Sequence, residues 1–87
     1  MPKYEPLELY LRSRVRSHRD LTLRFKEFEE IIKDRLPESA FMYREWWSNQ
    51  SDVTNRPQAR AWINAGFRVS GVHLNKNDGW VRFTPNQ

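Results

Sequence analysis

Leu7, Tyr10, Leu11 and Val15 recur at helical spacing behind Pro6, and the pattern predicts a first helix over residues 5–16 with one apolar face. After a turn at His18-Arg19-Asp20 the period drops to two. Leu21, Leu23 and Phe25 alternate with Thr22 and Arg24, the mark of a short half-buried strand over 21–25. Helical spacing returns at Phe25, Phe28, Ile31, Ile32 and Leu36. Glu27, Glu29, Glu30 and Asp34 lie on the other side of this second helix, predicted over 25–35. Pro37 closes it by restricting Leu36. A short helix over 38–44 follows, then an extended aromatic segment over 45–49. Extended backbone sends Trp46 and Trp47 to opposite sides, one into the core and one partly exposed. Residues 48–55 form the longest polar stretch, a loop in which Asn55 caps the next helix.

The last third carries the clearest punctuation. A helix over 57–65 turns Ala59, Trp62 and Ile63 inward and leaves Arg60 and Asn64 one turn apart outside. Gly66 is a left-handed stop. Phe67, Val69 and Leu74 face the core from a strand over 67–74, with Gly71 a bulge. Asn77-Asp78-Gly79 marks a tight turn over 75–79. Trp80, Val81 and Phe83 close the sheet over 80–84, and 85–87 form a short tail. The order is helix, strand, helix, helical piece, helix, strand, turn, strand. It predicts an α+β, winged-helix-like domain of three helices and a small antiparallel sheet of three strands, with 38–44 inserted before the last helix. One domain spans 1–87, ordered from about residue 4 to 84.

Composition narrows the chemistry. Five Phe, four Trp and three Tyr supply a core without disulfides. With no cysteine there is no thiolate nucleophile and no cysteine-based metal site, which fits a reducing compartment. His18 and His73 have no ligand partners at metal spacing, so no metal is expected. The chain has no glycine-rich phosphate loop and no serine in a nucleophile-elbow setting. No catalytic residue and no cofactor are expected, and the protein reads as a non-enzyme. No apolar run approaches the roughly 18 residues of a membrane span, and the N-terminus lacks the apolar core of a signal peptide. A cytoplasmic protein without membrane contact is the expectation.

Charge gives the first functional direction. The net charge is +4. Residues 1–19 hold five bases against two acids, residues 20–45 five against seven, and residues 46–87 five against two. Eleven of the fifteen bases are arginine, which suits bidentate contact with phosphate. In a winged-helix arrangement the last helix enters the major groove and the hairpin tip touches backbone or minor groove. Arg60 and Asn64 are then the types that read base edges. Arg56 and Gln58, at the helix start, touch phosphate or base. Asn75, Lys76 and Asn77 form the wing tip, and Arg12 and Arg16 grip flanking phosphates. Arg12, Arg14, Arg16 and Arg19 also complement the dipole at the end of the first helix. Arg44 sits beside an exposed tryptophan that stacks on a base or packs a partner. The expected function is therefore binding of nucleic acid, duplex DNA above all, through the helix 57–65 and the hairpin 67–84. The alternative is a protein-interaction module, a phage-type inhibitor or defence-system adaptor, acting through Tyr43, Trp47 and the loop 48–55. A monomer and a homodimer formed through an edge strand both fit.

Four segments carry a family resemblance. They are Leu21-Thr22-Leu23-Arg24-Phe25 with Glu27 and Glu29-Glu30-Ile31-Ile32; Leu36-Pro37-Glu38-Ser39-Ala40; Trp46-Trp47-Ser48-Asn49; and Gln58-Ala59-Arg60-Ala61-Trp62 with Ala65-Gly66-Phe67-Arg68-Val69. Together, from Tyr4 to Phe83, the chain resembles an uncharacterised small domain of bacteria, archaea and their phages, found alone and fused to other modules. The resemblance implies a fold unit and no activity. The family opens its second helix with a Thr-Phe-x-Glu capping box. Here Arg24 replaces the threonine while Glu27 stays, so a blurred helix start is expected.

Overall fold

The structure, a computed structural model, describes residues 3–49 and 57–86. Among these, four α-helices occur: α1 (Glu5–Arg12), α2 (Phe25–Ile32), α3 (Glu38–Met42) and α4 (Pro57–Asn64). Three strands, β1 (Leu21–Arg24), β2 (Phe67–His73) and β3 (Trp80–Pro85), form one antiparallel sheet in the order β1-β3-β2. The fold is α+β, with four helices where the sequence pattern suggested three. Residues 38–42 form a genuine short helix.

Most boundaries fall inside the expected ranges, for local reasons. α1 stops at Arg12 rather than residue 16. The Ser13 hydroxyl donates to the Tyr10 carbonyl at 2.6 Å, and the chain tightens into a 3-10 turn at Val15–Ser17. α2 stops at Ile32, before Pro37 can act, because Lys33 adopts φ 57° and donates its N–H to the Glu29 carbonyl. The start of α2 is sharp, contrary to expectation. Arg24 has extended backbone angles, and its N–H donates to the Glu27 carboxylate at 2.9 Å. Half the capping box is enough to fix the turn. Gly66 has φ 90° and terminates α4 as predicted.

The segment over 45–49 departs most from expectation. Arg44–Trp47 is a 3-10 turn, not an extended run. At three residues per turn, neighbours lie about 120° apart, so Trp46 and Trp47 can both lean inward. Their ring centroids are 4.6 Å apart. Trp47 is only 2% exposed and stacks on Phe25 at 5.1 Å and on Trp62 at 6.0 Å. Its indole N–H donates to the Ala40 carbonyl at 2.8 Å. Trp46 is the half-buried one and packs edge-on to Tyr4 and Phe28. The aromatic chain continues through Trp62 to Phe83 and Phe67, joining the helices to the sheet.

β2 is an edge strand, and a side chain guards part of that edge. The Asn49 carboxamide oxygen accepts from the Val69 N–H at 2.8 Å and from the Trp62 indole at 3.1 Å, while its NH2 donates to the Val69 carbonyl at 2.9 Å. Asn49 thus imitates a pairing strand at one position. Asn49→Ala strips the buried Trp62 indole of its acceptor and is expected to cost about 2 kcal/mol. A urea titration of both proteins measures it; an unchanged midpoint would show that water replaces the amide without loss.

The register decides which side chains leave the core. β1 pairs Leu21 with Phe83 and Leu23 with Val81; β2 pairs Phe67 with Pro85 and Val72 with Val81. The register shifts between Val69 and Gly71, the predicted bulge. The extra residue lets Val69 and Val72, three apart, both face the helices. Val72 joins the core, a position the simple alternation had not assigned. β3 runs to Pro85, which is buried, and Asn86 donates its N–H to the Gly66 carbonyl at 2.8 Å. The chain is therefore paired past the expected end at residue 84.

Candidate nucleic-acid interface

α4 presents two faces. Gln58, Ala59, Ala61 and Trp62 are buried, while Pro57, Arg60 and Asn64 are exposed. Arg60 and Asn64 lie one turn apart on the outer face, as the spacing predicted, and form no ion pair or hydrogen bond among the described residues. Gln58 is a correction. It is 5% exposed, and its amide donates to the Trp46 carbonyl at 3.1 Å. Its position one turn before Trp62 puts it on the core side, where it ties α4 to the 3-10 turn instead of reaching phosphate or base. Arg56 lies outside the described residues, as do Asn55 and most of the loop 48–55.

Among the described residues, the other predicted basic residues do not gather round Arg60. Arg60 borders a depression of about 270 Å³ shared with Lys3, Tyr4, Glu5, Glu8 and Pro57. Two of those neighbours are acids. Arg12 is exposed but bonded to Glu8 at 2.9 Å, one turn back on α1. Exposed pairs of this kind contribute about 0.5 kcal/mol or less and exchange readily. Arg16 is exposed on the 3-10 turn after α1, and Arg44 is exposed at the start of the second. Lys76 stands at the hairpin tip but is held to Glu38, at the start of α3, at 3.1 Å. Burial, and secondarily the Asp34 carboxylate, push the Tyr4 phenol above the usual tyrosine range, so it is a neutral hydroxyl at neutral pH.

The hairpin tip is organised by its first residue. The Asn75 side-chain oxygen accepts from the N–H groups of Asn77 and Asp78 at 2.8 and 3.0 Å, and its carbonyl accepts from Gly79 at 2.9 Å. Asn75 therefore builds the turn, with its side-chain oxygen fully engaged. Trp47, proposed as a surface anchor, is buried and cannot serve as one. Tyr43 is 54% exposed, beside Met42 at 55%.

A basic surface that the sequence pattern did not single out lies on the far side of the sheet. Thr22 and Arg24 of β1, Trp80, Arg82 and Thr84 of β3, and Arg68, Ser70 and His73 of β2 face away from the helices. Three arginines share this face, and among the described residues its strands carry no acid on it. Arg82 donates through Nε to the Ser70 hydroxyl at 3.0 Å and through Nη2 to the Ser70 carbonyl at 3.4 Å. Arg68 donates to the Pro85 carbonyl at 3.2 Å. Both guanidinium groups are positioned by neutral partners, so their charge is not compensated. Reading β1 as Thr-Arg alternating against the core, together with Arg82 after Trp80, is the signal that would have found this face. Only the cross-strand register brings the two segments together.

The model of one family, described as a domain of unknown function (DUF7662), matches residues 4–84. The chain belongs to the DUF7662 family. This agrees with the resemblance drawn from the four sequence segments, and it supplies no activity. No curated protein and no solved structure matches the chain. Among the described residues of this DUF7662 domain, no helix is long and apolar enough to cross a membrane, and no group of three or more His, Cys, Asp or Glu side chains is placed to hold a metal ion.

Proposed function

We propose that this DUF7662 domain binds duplex DNA in the manner of a winged helix, with α4 at the major groove and the β2–β3 hairpin as the wing. The observation that carries the reading is topological. A helix with an exposed Arg-x-x-x-Asn face runs directly into β2 of a sheet ordered β1-β3-β2. The helix keeps its Arg60/Asn64 side exposed, and the hairpin that follows it carries Lys76 at an exposed turn, the order of elements a groove reader uses. Arg60 and Asn64 carry base recognition, Arg12 and Arg16 contact phosphate, and Lys76 touches backbone from the wing. Contact by Arg12 needs it to exchange Glu8 for a phosphate, and contact by Lys76 needs it to leave Glu38. The Lys76–Glu38 pair is exposed and Arg12 is exposed on its side of the other, so either exchange is inexpensive.

The double variant Arg60→Ala/Asn64→Ala tests the assignment. Each bidentate base contact is worth about 1–3 kcal/mol, so affinity for a preferred duplex falls at least about tenfold. Both residues are exposed, and the melting temperature should not move. Equal affinity of variant and parent in an anisotropy titration would remove α4 from the interface.

A second reading, a protein partner, is supported by one observation. Met42 and Tyr43 form an exposed apolar pair at the end of α3. With Trp47 in the core, this pair is what remains of the aromatic surface, and it is small for an anchor.

A further inference from the structure

We propose that the outer face of the sheet is a binding site for single-stranded nucleic acid, with an unpaired base stacked on Trp80 and its flanking phosphates held by Arg24 and Arg82. The site is separate from α4 and does not depend on the duplex reading.

Trp80 is the tryptophan that the core does not use. Trp46, Trp47 and Trp62 all join the internal ring cluster. Trp80 is half-buried on the opposite face, and its described ring contact is with His73, its cross-strand partner, at 6.2 Å and 26° between planes. Its other cross-strand neighbour is Arg24. Thr22, Arg24, Trp80 and Arg82 together line an open depression of about 330 Å³. β-Sheet faces left in water are ordinarily polar, so a large indole on this one stands out.

The arginines beside it are prepared for an anion. Arg82 is fixed in direction by the Ser70 hydroxyl and carbonyl, and Ser70 is itself held by the Thr84 hydroxyl at 2.6 Å. Gly71 makes this possible. A Cβ there would lie 3.1 Å from Arg82 Nη2, so the missing side chain lets the guanidinium lie flat across β2. The Arg24 side chain forms no ion pair among the described residues; its backbone N–H, not its guanidinium, meets the Glu27 carboxylate. An ordered Arg82 and an unpaired Arg24 beside a half-buried indole that opens on the same depression suit one nucleotide: the ring takes the base, and the charges take the phosphates.

The geometry favours a single strand over a duplex. In a duplex both faces of each base are covered by its neighbours, and a ring lying along a sheet cannot reach them. Splayed bases of single strands stack on such platforms with little sequence preference. Nothing on this face distinguishes ribose from deoxyribose, so both sugars belong in the test.

The test is fluorescence anisotropy of the full chain with labelled oligothymidylate and oligouridylate of twelve nucleotides, and with a duplex of the same length. Trp80→Ala should weaken single-strand binding about tenfold or more, and Trp80→Phe should restore most of it. Arg24→Ala/Arg82→Ala should weaken it and flatten its salt dependence. Arg60→Ala/Asn64→Ala should leave single-strand binding unchanged even if duplex binding falls. Circular dichroism of each variant separates loss of site from loss of fold, and the phenylalanine variant gives the reading if the alanine one unfolds. The proposal is overturned if no single strand binds at low salt, if Trp80→Phe and Trp80→Ala both bind like the parent, if single-strand binding tracks Arg60 and Asn64, or if polyglutamate competes as well as the oligonucleotides. A preference for one sugar supports the site and identifies the nucleic acid.

Discussion

Trp47→Ala is expected to remove about half or more of the domain's stability and to lower its urea midpoint more than Asn49→Ala or Gly79→Ala does. Trp47 lies between Phe25 and Trp62, meets Phe28 edge-on at 5.4 Å, and donates to the Ala40 carbonyl. It therefore joins α2, α3, α4 and its own 3-10 turn at one point. Truncating a buried tryptophan costs about 3–5 kcal/mol through lost transfer energy and the cavity left behind. A domain of this size holds on the order of 5–10 kcal/mol in total. The Ala40 carbonyl also loses its donor, which adds to the loss. Trp47→Phe keeps part of the ring cluster and should remain folded with a lower urea midpoint. Native-like cooperative unfolding of the alanine variant at the parent midpoint would mean that the core does not centre on this ring.

The second large effect is expected at Gly79. Here the constraint is space, not backbone conformation, because Gly66 is the glycine with positive φ. A methyl group on Gly79 would overlap the Asn75 carbonyl oxygen and the Phe25 ring. Neither can yield cheaply. Asn75 holds three N–H groups of the turn, and Phe25 is 2% exposed against Trp47, with its own N–H bonded to the Gly79 carbonyl at 2.9 Å. The turn and the start of α2 are thus locked together. Gly79→Ala is expected to cost about 3 kcal/mol. Gly71→Ala provides the contrast, since its methyl would meet the exposed far end of Arg82, which can shift at the expense of its bonds to Ser70, and should cost less than about 1 kcal/mol. A thermal melt of the two variants ranks them; equal melting temperatures would refute the steric account of Gly79.

These two sites show which features a sequence pattern carries. Periodicity located α1, α2, α4 and the three strands, because each buries one stripe or one face. Gly66 and the bulge at Gly71 were legible because glycine at such points has a local cause. The 3-10 turn at Arg44–Trp47 was not legible. Two adjacent tryptophans obey no period, and only the finished ring cluster decides that Trp47 is the deeper one. Gln58 was misassigned for a related reason. A polar residue at the start of a helix reads as exposed, and its buried partner, the Trp46 carbonyl, is twelve residues away. The α2 start was judged by the missing threonine, although the Glu27 half of the box suffices. Of the candidate interface, the Arg60/Asn64 face followed directly from helical spacing. The face with Arg24, Trp80 and Arg82 depends on register between segments almost sixty residues apart, and no local pattern contains that.

The most direct test of nucleic-acid binding is the salt dependence of the parent protein's affinity for a mixed-sequence duplex. If α4 and the wing engage DNA with a few basic contacts, log K falls linearly with log salt, with a slope of about −3. Arg60→Ala/Asn64→Ala then lowers the whole line. Absence of duplex binding at the lowest salt, or a slope near zero, would contradict the account, and attention would pass to the exposed Met42–Tyr43 pair as a protein contact.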